Sequence, residues 1–517
     1  MTMRKIRIFC CAVLFLLAGL PIAAQEQSFR NPVVSGFHPD PSVCRVGDTF
    51  YLINSTFQYF PGVPIYESKD LIHWRQVGNI LTRDSQLPLE GAASGTGIFA
   101  PTLRYNDGVY YMVTTNISHG GNFMVTATSP EGPWSDPIKL STPGIDPSLY
   151  FEDGKCYLLS NGGDFISLCE IDPKTGKQLT ETKPLWGGEG GRYPEGPHLY
   201  KKDGYYYLLI SEGGTELAHH LTIARSKNIY GPYEGCPDNP ILTNCSRLGQ
   251  YLQVQGIGHG DFTQAPDGSW WVICLGYRHY GGMFHHLGRE TFLAPVEWKE
   301  GEWPVVNGGM PVDTLTKAKL LPQVILPKSD ATDFKAGKLG PEFLYIQNPI
   351  RENYAFQDGV WTLKAHGTLT QNDQPTYIGI RQTAPKMTFE TEVSLPSKEG
   401  NPRAGLTVYQ THEGHIDFAV QGSKLSAIFR LKSLEADCGT VDLGNNPGKV
   451  RLRVTSDGLR YVFSYSLDGK TYQEVGSADA TLLSTEVLGG FTGVTLGLFV
   501  EGDNGATAKF HDFSYVE

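Results

Sequence analysis

Three carboxylates in short turn-forming segments are the residues of this chain best suited to do chemistry. Asp40, Asp146 and Glu195 lie in segments 36–42, 144–148 and 193–198, where prolines, glycines and aromatic residues flank them. Such flanks predict tight turns at strand ends rather than a solvated helix face. On rigid turns one carboxylate can be ionised, one protonated, and one can tune the others, as acid–base cleavage of a glycosidic bond requires.

A turn followed by an aromatic-rich strand recurs five times and indicates the elements that would position these carboxylates. The turns contain Asp48, Asp107, Asp153, Asp203 and Asp267, at intervals of about fifty residues. Repeats of this length with several short strands each predict a five-bladed β-propeller, which buries both faces of every blade and opens a pocket at its axis. An array of β-sandwiches with accidental repetition is the alternative.

The chain changes character after the fifth repeat. The pattern stops near residue 310, and the proline-containing segment 321–328 predicts an extended linker. Beyond it apolar and polar residues alternate, and the apolar positions predicted to share a face within two neighbouring strands are Val450, Leu452 and Val454, then Leu459, Tyr461, Phe463, Tyr465 and Leu467. We therefore predict an all-β chain, with a propeller over residues 28–320 and a two-sheet β-sandwich over residues 330–517.

The charge and the first residues limit the partners of this chain. Its 517 residues carry a formal net charge of −11 without a long basic run, which argues against nucleic acid and anionic membranes. A basic start, an apolar run over 8–20 and small residues up to Ala24 predict a secretory signal peptide over residues 1–24. A membrane anchor is the alternative, but the run is short for a span. We expect no membrane association after cleavage.

Four segments, in order along the chain, resemble glycoside hydrolase family 43. They are 31–33, 55–63, 193–198 and 287–291. The likeness covers the mature chain from about Asn31, and the C-terminal part resembles the jelly-roll, concanavalin-A-like domain of the β-xylosidase and α-L-arabinofuranosidase branch. The resemblance implies an inverting enzyme on a five-bladed propeller that requires no cofactor and acts on an oligosaccharide substrate.

The resemblance also implies a role for each carboxylate. Asp40 would be the general base that activates water, Glu195 the general acid that protonates the leaving oxygen, and Asp146 the group that raises the pKa of the acid and orients it. Inversion needs water between base and sugar, so the two carboxyls should lie roughly 6.5–9.5 Å apart. A neighbouring negative charge raises a carboxyl pKa and so keeps Glu195 protonated near neutral pH.

Further residues would bind the sugar if the resemblance holds. Arg289 resembles the family arginine that contacts the sugar and the acidic cluster, with a surface salt bridge as the alternative. Phe57, Tyr59 and Phe60 would wall the sugar subsite, unless they belong to the core. His259 resembles a histidine that in some relatives binds water beside a calcium ion, which implies a structural Ca²⁺ near the propeller axis. A buried core histidine is the alternative for His259.

One departure from the family concerns the pocket floor. Phe99 and Thr102 stand where relatives with strong xylosidase activity carry a tryptophan and an aspartate. We therefore expect Phe99 to contact the substrate on a floor that lacks both an indole and a carboxylate.

Together these features predict an exo-glycosidase that is secreted across the inner membrane to the periplasm. It would release terminal α-L-arabinofuranose from plant cell-wall hemicellulose, such as arabinoxylan, arabinan or xyloglucan side chains. A β-xylosidase, or one pocket with both activities, is the nearest alternative. A glycan-binding protein with a silent propeller is another, which the presence of all three carboxylates disfavours. A fructan-active propeller would instead retain anomeric configuration through a covalent nucleophile.

Overall fold

The computed structural model of the protein describes residues 26–327, 333–394, 400–444, 448–503 and 505–517. Almost all regular structure in these ranges is β-strand. The signal peptide expected over 1–24 lies outside the described residues. In the ranges given, no helix combines the length and the apolar character needed to cross a membrane.

Five antiparallel sheets form the blades of a propeller. The strands of blade 1 are Ser42–Val46, Thr49–Ile53, Gly62–Ser68 and Arg75–Leu81. Those of blade 2 are Thr102–Asn106, Val109–Asn116, Gly121–Ala127 and Ile138–Lys139. Those of blade 3 are Ile145–Glu152, Lys155–Asn161, Ile166–Ile171 and Lys183–Trp186. Those of blade 4 are Glu195–Lys202, Tyr205–Glu212, His220–Ser226, Glu234–Gly235 and Leu242–Thr243. Those of blade 5 are Val254–Gln264, Trp270–Arg278, Glu290–Glu297 and Val305–Val306.

The blades close around one axis. Within each blade the strands pair in the order of the chain, except that Leu242–Thr243 of blade 4 pairs with the third strand of that blade. The first strands of neighbouring blades contact one another in a complete ring. Strand Gln27–Arg30 pairs with Leu315–Ala318 and so joins the two ends of the propeller. The predicted five-bladed, all-β architecture is confirmed, and the first strand of every blade faces the axis.

The repeated Asp-Gly turns connect the first and second strands of blades 2, 3 and 4. At Asp107 and Gly108 the φ angles are 48° and 84°, and the same pair of positive angles recurs at the equivalent turns of the next two blades. Two successive positive φ angles define the hairpin turn that suits the twist of β-strands, and Asp-Gly adopts it readily. The repeat seen in the sequence is therefore the inner hairpin of the blade.

A two-sheet sandwich follows the propeller. The strands of its eight-stranded sheet are Tyr354–Gln357, Val360–Lys364, Lys386–Ser394, Lys449–Asp457, Arg460–Ser466, Gln473–Asp479, Thr507–Phe510 and Ser514–Val516. The strands of its six-stranded sheet are Tyr377–Arg381, Arg403–Thr411, Gly414–Gln421, Lys424–Leu431, Leu434–Asp442 and Thr495–Glu501. The helical segments are the α-helix Thr485–Leu488 and the 3₁₀ turns Asn307–Gly309, Phe334–Ala336, Arg351–Asn353 and Ala480–Leu483.

The alternating pattern of the sandwich holds for its central residues. Leu452, Val454, Tyr461 and Phe463 are fully buried between the two sheets. At the ends of the second strand the pattern breaks down: Leu459 and Leu467 lie just outside Arg460–Ser466 and are exposed.

The six-stranded sheet also packs against the propeller. Tyr377, Tyr409 and Phe499 of this sheet join Phe37 and Tyr59 of the propeller in one buried cluster. In addition, Tyr59–Phe60 pairs with Tyr345–Ile346 as a two-stranded sheet shared by both domains. Burial of such large aromatic side chains contributes about 1.5–3 kcal/mol each, so the sandwich is held firmly against the face of the propeller that carries the pocket.

Candidate active site

The three predicted carboxylates meet in one pocket at the end of the propeller axis. The pocket has a volume of about 340 Å³ and is lined by Asp40, Asp146 and Glu195 together with Arg289 and His259. We call Asp40, Asp146, Glu195 and Arg289 the pocket cluster. The structure therefore brings together residues that lie up to about 250 positions apart in the chain.

A left-handed backbone recurs where four of the five inner strands reach the pocket. Asp40 and Asp146 stand at the entries to the first strands of blades 1 and 3, Gly196 follows Glu195 at the start of blade 4, and His259 lies within the first strand of blade 5. The φ angles of these four residues are between 43° and 58°. In blades 3, 4 and 5 a bulge interrupts the strand pairing at this point. A left-handed conformation is costly for residues other than glycine and clusters at functional sites, and the side chains of Asp40, Asp146 and His259 all line the pocket.

Asp40 is held by fixed donors. Arg289 donates from Nη1 to Oδ1 at 2.9 Å and from Nη2 to Oδ2 at 3.4 Å, and Ser55 Oγ donates to Oδ2 at 2.5 Å. Burial alone would raise the pKa of Asp40, but Arg289, His259 and the Ser55 hydroxyl outweigh it and lower the pKa below its ordinary value. Asp40 is therefore ionised at neutral pH.

Asp146 and Glu195 experience the opposite balance. Burial, which His259 offsets only in part, raises the pKa of Asp146. Burial, together with the charges of Asp146 and Asp40, raises the pKa of Glu195 well above its ordinary value. The two segments are tied together, because the backbone N–H of Gly196 donates to Asp146 Oδ2 at 3.1 Å. One pocket thus contains carboxyl groups whose pKa values are shifted in opposite directions.

His219 faces Glu195 in a defined tautomer. Its Nδ1 lies 3.2 Å from the Gly256 carbonyl oxygen, which can only accept, so Nδ1 carries the proton. Its Nε2 lies 3.8 Å from Glu195 Oε1 and has no hydrogen-bond partner among the described residues. Burial and the nearby His259 lower the pKa of His219 to about 3, so the ring is neutral and turns a lone pair towards the carboxyl group.

Aromatic rings form one wall of the pocket. Phe57 and Phe99 line it as expected, with ring centroids 5.4 Å apart. Tyr59 and Phe60, which the sequence analysis placed in the same wall, lie in the packed core instead. Their strand pairs with Tyr345–Ile346 of the sandwich, and this pairing turns both rings away from the sugar site. Thr102 is also buried outside the pocket lining.

The sandwich supplies a third ring, Phe491. It stacks on Phe57 at 5.7 Å with an angle of 20° between the planes and meets Phe99 edge-on at 5.9 Å. Its carbonyl oxygen accepts a hydrogen bond from Arg289 Nη2 at 3.4 Å. The sequence analysis missed Phe491, which lies between strands in the glycine-rich segment 489–493. An aromatic residue in a glycine-rich loop was the only signal available.

The mouth of the pocket carries polar groups and one exposed ring. Thr215 and Glu216 line it, and Thr215 Oγ1 accepts a hydrogen bond from Arg289 Nη1 at 3.0 Å. Arg192 pairs with Glu216 and lies over the ring of Tyr193, which is 60% exposed. Tyr193 therefore offers an accessible aromatic face next to Glu195.

A second group of charged residues lies deeper on the axis, and we call it the inner cluster. Asp261 is fully buried and makes a bidentate ion pair with Arg104, at 2.8 and 3.1 Å. It also accepts hydrogen bonds from Tyr200 at 2.6 Å and from Ser42 Oγ at 2.8 Å. Arg104 donates in turn to His198 Nδ1 at 2.9 Å. All five side chains come from innermost strands.

The described side chains near the axis offer few free oxygen ligands for a calcium ion. Ca²⁺ takes six to eight oxygen ligands, whereas the carboxylate of Asp261 is already neutralised by Arg104. His259 lies 3.8 Å from Asp40 and packs so closely on Gly196 that a Cβ atom there would lie 3.1 Å from its ring. In the described part of the chain, three metal-ligating side chains converge at His279, His285 and Glu486, at the boundary with the sandwich. The calcium ion with His259 as its ligand stays a prediction.

Carboxyl groups with opposed pKa shifts in one pocket are the arrangement that acid–base hydrolysis of a glycosidic bond uses. The sequence agrees with the geometry. Residues 29–304 match the model of glycosyl hydrolases family 43, and residues 331–517 match that of the beta xylosidase C-terminal concanavalin A-like domain. The chain therefore belongs to glycosyl hydrolase family 43, which confirms the resemblance.

Similar proteins cover the whole length of the chain. The non-reducing end alpha-L-arabinofuranosidase BoGH43B of Bacteroides ovatus is 40% identical over 524 residues, which are 98% of this chain and 98% of that protein. A xylosidase/arabinosidase of Butyrivibrio fibrisolvens is 38% identical over 513 residues, which are 94% of this chain and 98% of that protein. A solved structure, Bacteroides ovatus Xyloglucan PUL GH43B, has a TM-score of 0.89 at 40% identity and covers 95% of this chain and 100% of its own.

Proposed function

We propose that the protein releases terminal α-L-arabinofuranose from hemicellulose side chains with inversion of configuration. The observation that carries the proposal is the pair of opposed pKa shifts within one pocket: lowered for Asp40 and raised for Glu195. The full-length likeness to a non-reducing end alpha-L-arabinofuranosidase supports this choice of sugar, and a relative described from a xyloglucan locus supports xyloglucan as the polymer.

Asp40 acts as the general base in this proposal. Its carboxylate is ionised because Arg289 and Ser55 stabilise the charge. These donors also fix the plane of the carboxylate, so that a remaining lone pair faces the water that attacks the anomeric carbon. A positioned base of this kind accelerates a reaction about 10²–10⁴-fold.

Glu195 acts as the general acid. Its raised pKa keeps the proton on the carboxyl group until the leaving oxygen arrives, and the charge of Asp146 helps to hold it there. His219, with its Nε2 lone pair 3.8 Å from Oε1, favours the protonated form over the ionised one. Protonation of the glycosidic oxygen by Glu195 then lets the bond break while Asp40 removes a proton from water.

The pocket walls suit a terminal sugar. The rings of Phe57, Phe99 and Phe491 provide an apolar surface beside the carboxyl groups, and Arg289 lies over the rings of Phe57 and Phe491. Because Phe491 comes from the sandwich, we infer that the second domain closes the sugar subsite and that the enzyme acts at chain ends.

The first experiment compares 4-nitrophenyl α-L-arabinofuranoside with 4-nitrophenyl β-D-xylopyranoside on purified mature protein. A higher kcat/KM for the arabinoside supports the proposal. A higher kcat/KM for the xyloside would instead support the second candidate function, a β-xylosidase or an enzyme with both activities. The likeness to a xylosidase/arabinosidase favours this second candidate. Turnover of neither substrate would indicate a glycan-binding protein.

NMR detection of the anomer that is released first tests inversion, since a retaining outcome would exclude Asp40 as a base.

Glu195→Gln tests the acid. We expect a large loss of kcat/KM on natural oligosaccharides and a much smaller loss on aryl glycosides, whose good leaving groups need no proton. Equal losses on both substrates would contradict the assignment.

Export is part of the same proposal. The basic, apolar and small-residue pattern over residues 1–24 supports cleavage near Ala24 and delivery to the periplasm. N-terminal sequencing of protein from the periplasmic fraction tests it, and an uncleaved N-terminus would contradict it.

A further inference from the structure

A second buried arginine lies on the other side of the segment that carries Asp40. Arg381 ends the sandwich strand Tyr377–Arg381 and is only 7% exposed. Its guanidinium lies 5.6 Å from the ring centroid of Phe37, three residues before Asp40. Arg381 lines a cavity of about 560 Å³ between blade 1 and the sandwich, which is separate from the sugar pocket.

In the described part of the chain, Arg381 has no partner of opposite charge. Among the described residues its guanidinium makes neither an ion pair nor a hydrogen bond, and its Nε is buried without an acceptor. Burial lowers the pKa of Arg381, and no carboxylate is close enough to offset this effect. Arg289, by contrast, forms a bidentate pair with Asp40. Since an unpaired buried charge is costly, the cavity lacks the group that would balance Arg381.

The neighbouring polar groups of the cavity are already satisfied. His38 Nδ1 donates to the Ser35 carbonyl oxygen at 2.8 Å, and Tyr66 donates its hydroxyl proton to His38 Nε2 at 2.7 Å. Gln76 Nε2 donates to the Pro341 carbonyl oxygen at 3.0 Å.

Two carboxylates, Glu342 and Glu517, also line the cavity; Glu517 accepts a hydrogen bond from Thr383, and Glu342 has an interaction of its own. Neither is among the groups that shift the pKa of Arg381, which are burial and three tyrosine hydroxyls. Among the described residues that line the cavity, Arg381 is therefore the cation whose N–H donors have no acceptor.

We propose that this cavity binds a small oxyanion, a carboxylate or phosphate group, held by Arg381. The planar guanidinium presents two parallel N–H donors that match two oxygens of such a group. The rings of Tyr66 and Trp74 supply apolar walls, and the volume admits either a free anion or the acid group of a uronic-acid sugar. The bound anion joins blade 1 to the sandwich beside the strand entry that carries Asp40.

Thermal unfolding of the full chain in dilute Tris–chloride buffer tests the proposal. Sodium phosphate is titrated in while sodium chloride keeps the ionic strength constant. We expect the Tm of the natural protein to rise by several degrees and to saturate, because a ligand bound only by the folded state stabilises it. Arg381→Met should show no phosphate-dependent rise. Without phosphate it should be at least as stable as the natural protein, because it lacks the unpaired charge.

Arg351→Met is the matched control. Arg351 pairs with Asp84 across the same domain boundary but is exposed, so its variant should keep the full phosphate response. Arg381→Lys keeps the positive charge but lacks the two parallel N–H donors of the guanidinium. We therefore expect its apparent affinity for phosphate to be about tenfold weaker. A phosphate response that is absent from the natural protein, or equal in Arg381→Met, would overturn the proposal.

The source of the anion is resolved by comparing three additives: phosphate, D-glucuronate and D-glucose. Stabilisation by glucuronate at lower concentration than phosphate points to an acidic sugar, and the reverse order points to an inorganic anion. Stabilisation by glucose to the same extent as glucuronate would contradict an anion site.

If Arg381→Met fails to fold, crystals of the natural protein soaked in bromide test the site instead. An anomalous peak beside Arg381 supports the site, and ordered bromide elsewhere without this peak refutes it.

Discussion

Two clusters of charged side chains lie along the same propeller axis, and their charges are balanced in opposite ways. The pocket cluster holds three carboxyl groups against one arginine. The inner cluster holds Asp261 against Arg104, with hydrogen bonds from Tyr200 and Ser42 completing the shell. Asp40, Asp146 and Arg289 of the pocket cluster are buried, as Asp261 is, so burial alone does not distinguish the two clusters. The difference is whether each negative charge has its own partner.

The consequence appears in the pKa values. Burial would raise the pKa of Asp261, but Arg104 outweighs it and lowers the pKa to about 2. In the pocket, Arg289 helps to lower the pKa of Asp40, whereas the pKa of Glu195 stays well above its ordinary value. In the inner cluster the one carboxylate has its own arginine, whereas in the pocket three carboxyl groups share one arginine, and this excess leaves a proton on Glu195 that can be used in chemistry. The predictions below test this distinction.

The largest effect is expected at Asp40. Asp40→Asn removes the base but keeps the shape, so we expect kcat/KM to fall about 10²–10⁴-fold. The loss of Tm should be smaller than for a variant of Asp261, because the charge of Arg289 still interacts with Asp146 and Glu195. Asp48→Asn, on the exposed hairpin of the same blade, is the control and should be fully active. A large drop in Tm for Asp40→Asn would mean that the pocket cluster, like the inner one, serves structure.

Asp261→Asn should show the reverse pattern. It leaves the buried Arg104 without a counter-charge, which costs about 3–5 kcal/mol of folding free energy. Denaturant unfolding measures the loss, with Asp107→Asn on an exposed hairpin as control. Because the pKa of Asp261 is about 2 in the folded protein, below its ordinary 3.8, its contribution is complete above about pH 4 and disappears as the pH falls towards 2. A variant as stable as the natural protein would refute the pairing argument.

The sequence predicted the pocket cluster well, because the three carboxylates lie in short motifs of turn-forming residues that recur in order along the chain. Asp40, Asp146 and Glu195 were recognisable as a set, since prolines and glycines mark the strand entries at the axis, and Arg289 followed from the family resemblance. The inner cluster was not predicted, for a physical reason. Arg104 and Asp261 belong to blades 2 and 5, and two residues that pair across the axis leave no repeated spacing in the sequence that would mark them as partners.

The aromatic wall of the pocket was predicted from the sequence only in part. Phe57 and Phe99 follow from their place beside the motifs, yet Tyr59 and Phe60 were misplaced because a strand of the sandwich pairs with them. Phe491 reaches the pocket from the second domain through contacts that no local pattern encodes. Interfaces between domains depend on surfaces that meet only after both have folded, so they are the least visible part of a sequence.

Asp146→Asn tests whether one carboxyl group of the pocket cluster controls the pKa of another. The charge of Asp146 contributes to the raised pKa of Glu195, second only to burial. Without it Glu195 should lose its proton at lower pH, so the alkaline limb of the kcat/KM profile should move down by roughly one pH unit. The acid limb reports Asp40, whose pKa depends mainly on burial and Arg289, and should stay in place. Equal movement of both limbs would mean that Asp146 acts through the geometry of the pocket rather than its charge.

The smallest effect is expected at Phe491, which carries no charge and belongs to neither cluster. Its ring completes the sugar wall by stacking on Phe57, and such contacts contribute about 0.5–1.5 kcal/mol. Phe491→Ala should therefore raise KM about three- to tenfold while kcat changes little, because the backbone carbonyl that receives Arg289 remains. Leu434→Ala, an exposed sandwich position away from the pocket, should change neither constant. A fall in kcat with unchanged KM would show instead that the ring acts through Arg289 on the base, and would place the sandwich in the chemistry as well as in the binding of the sugar.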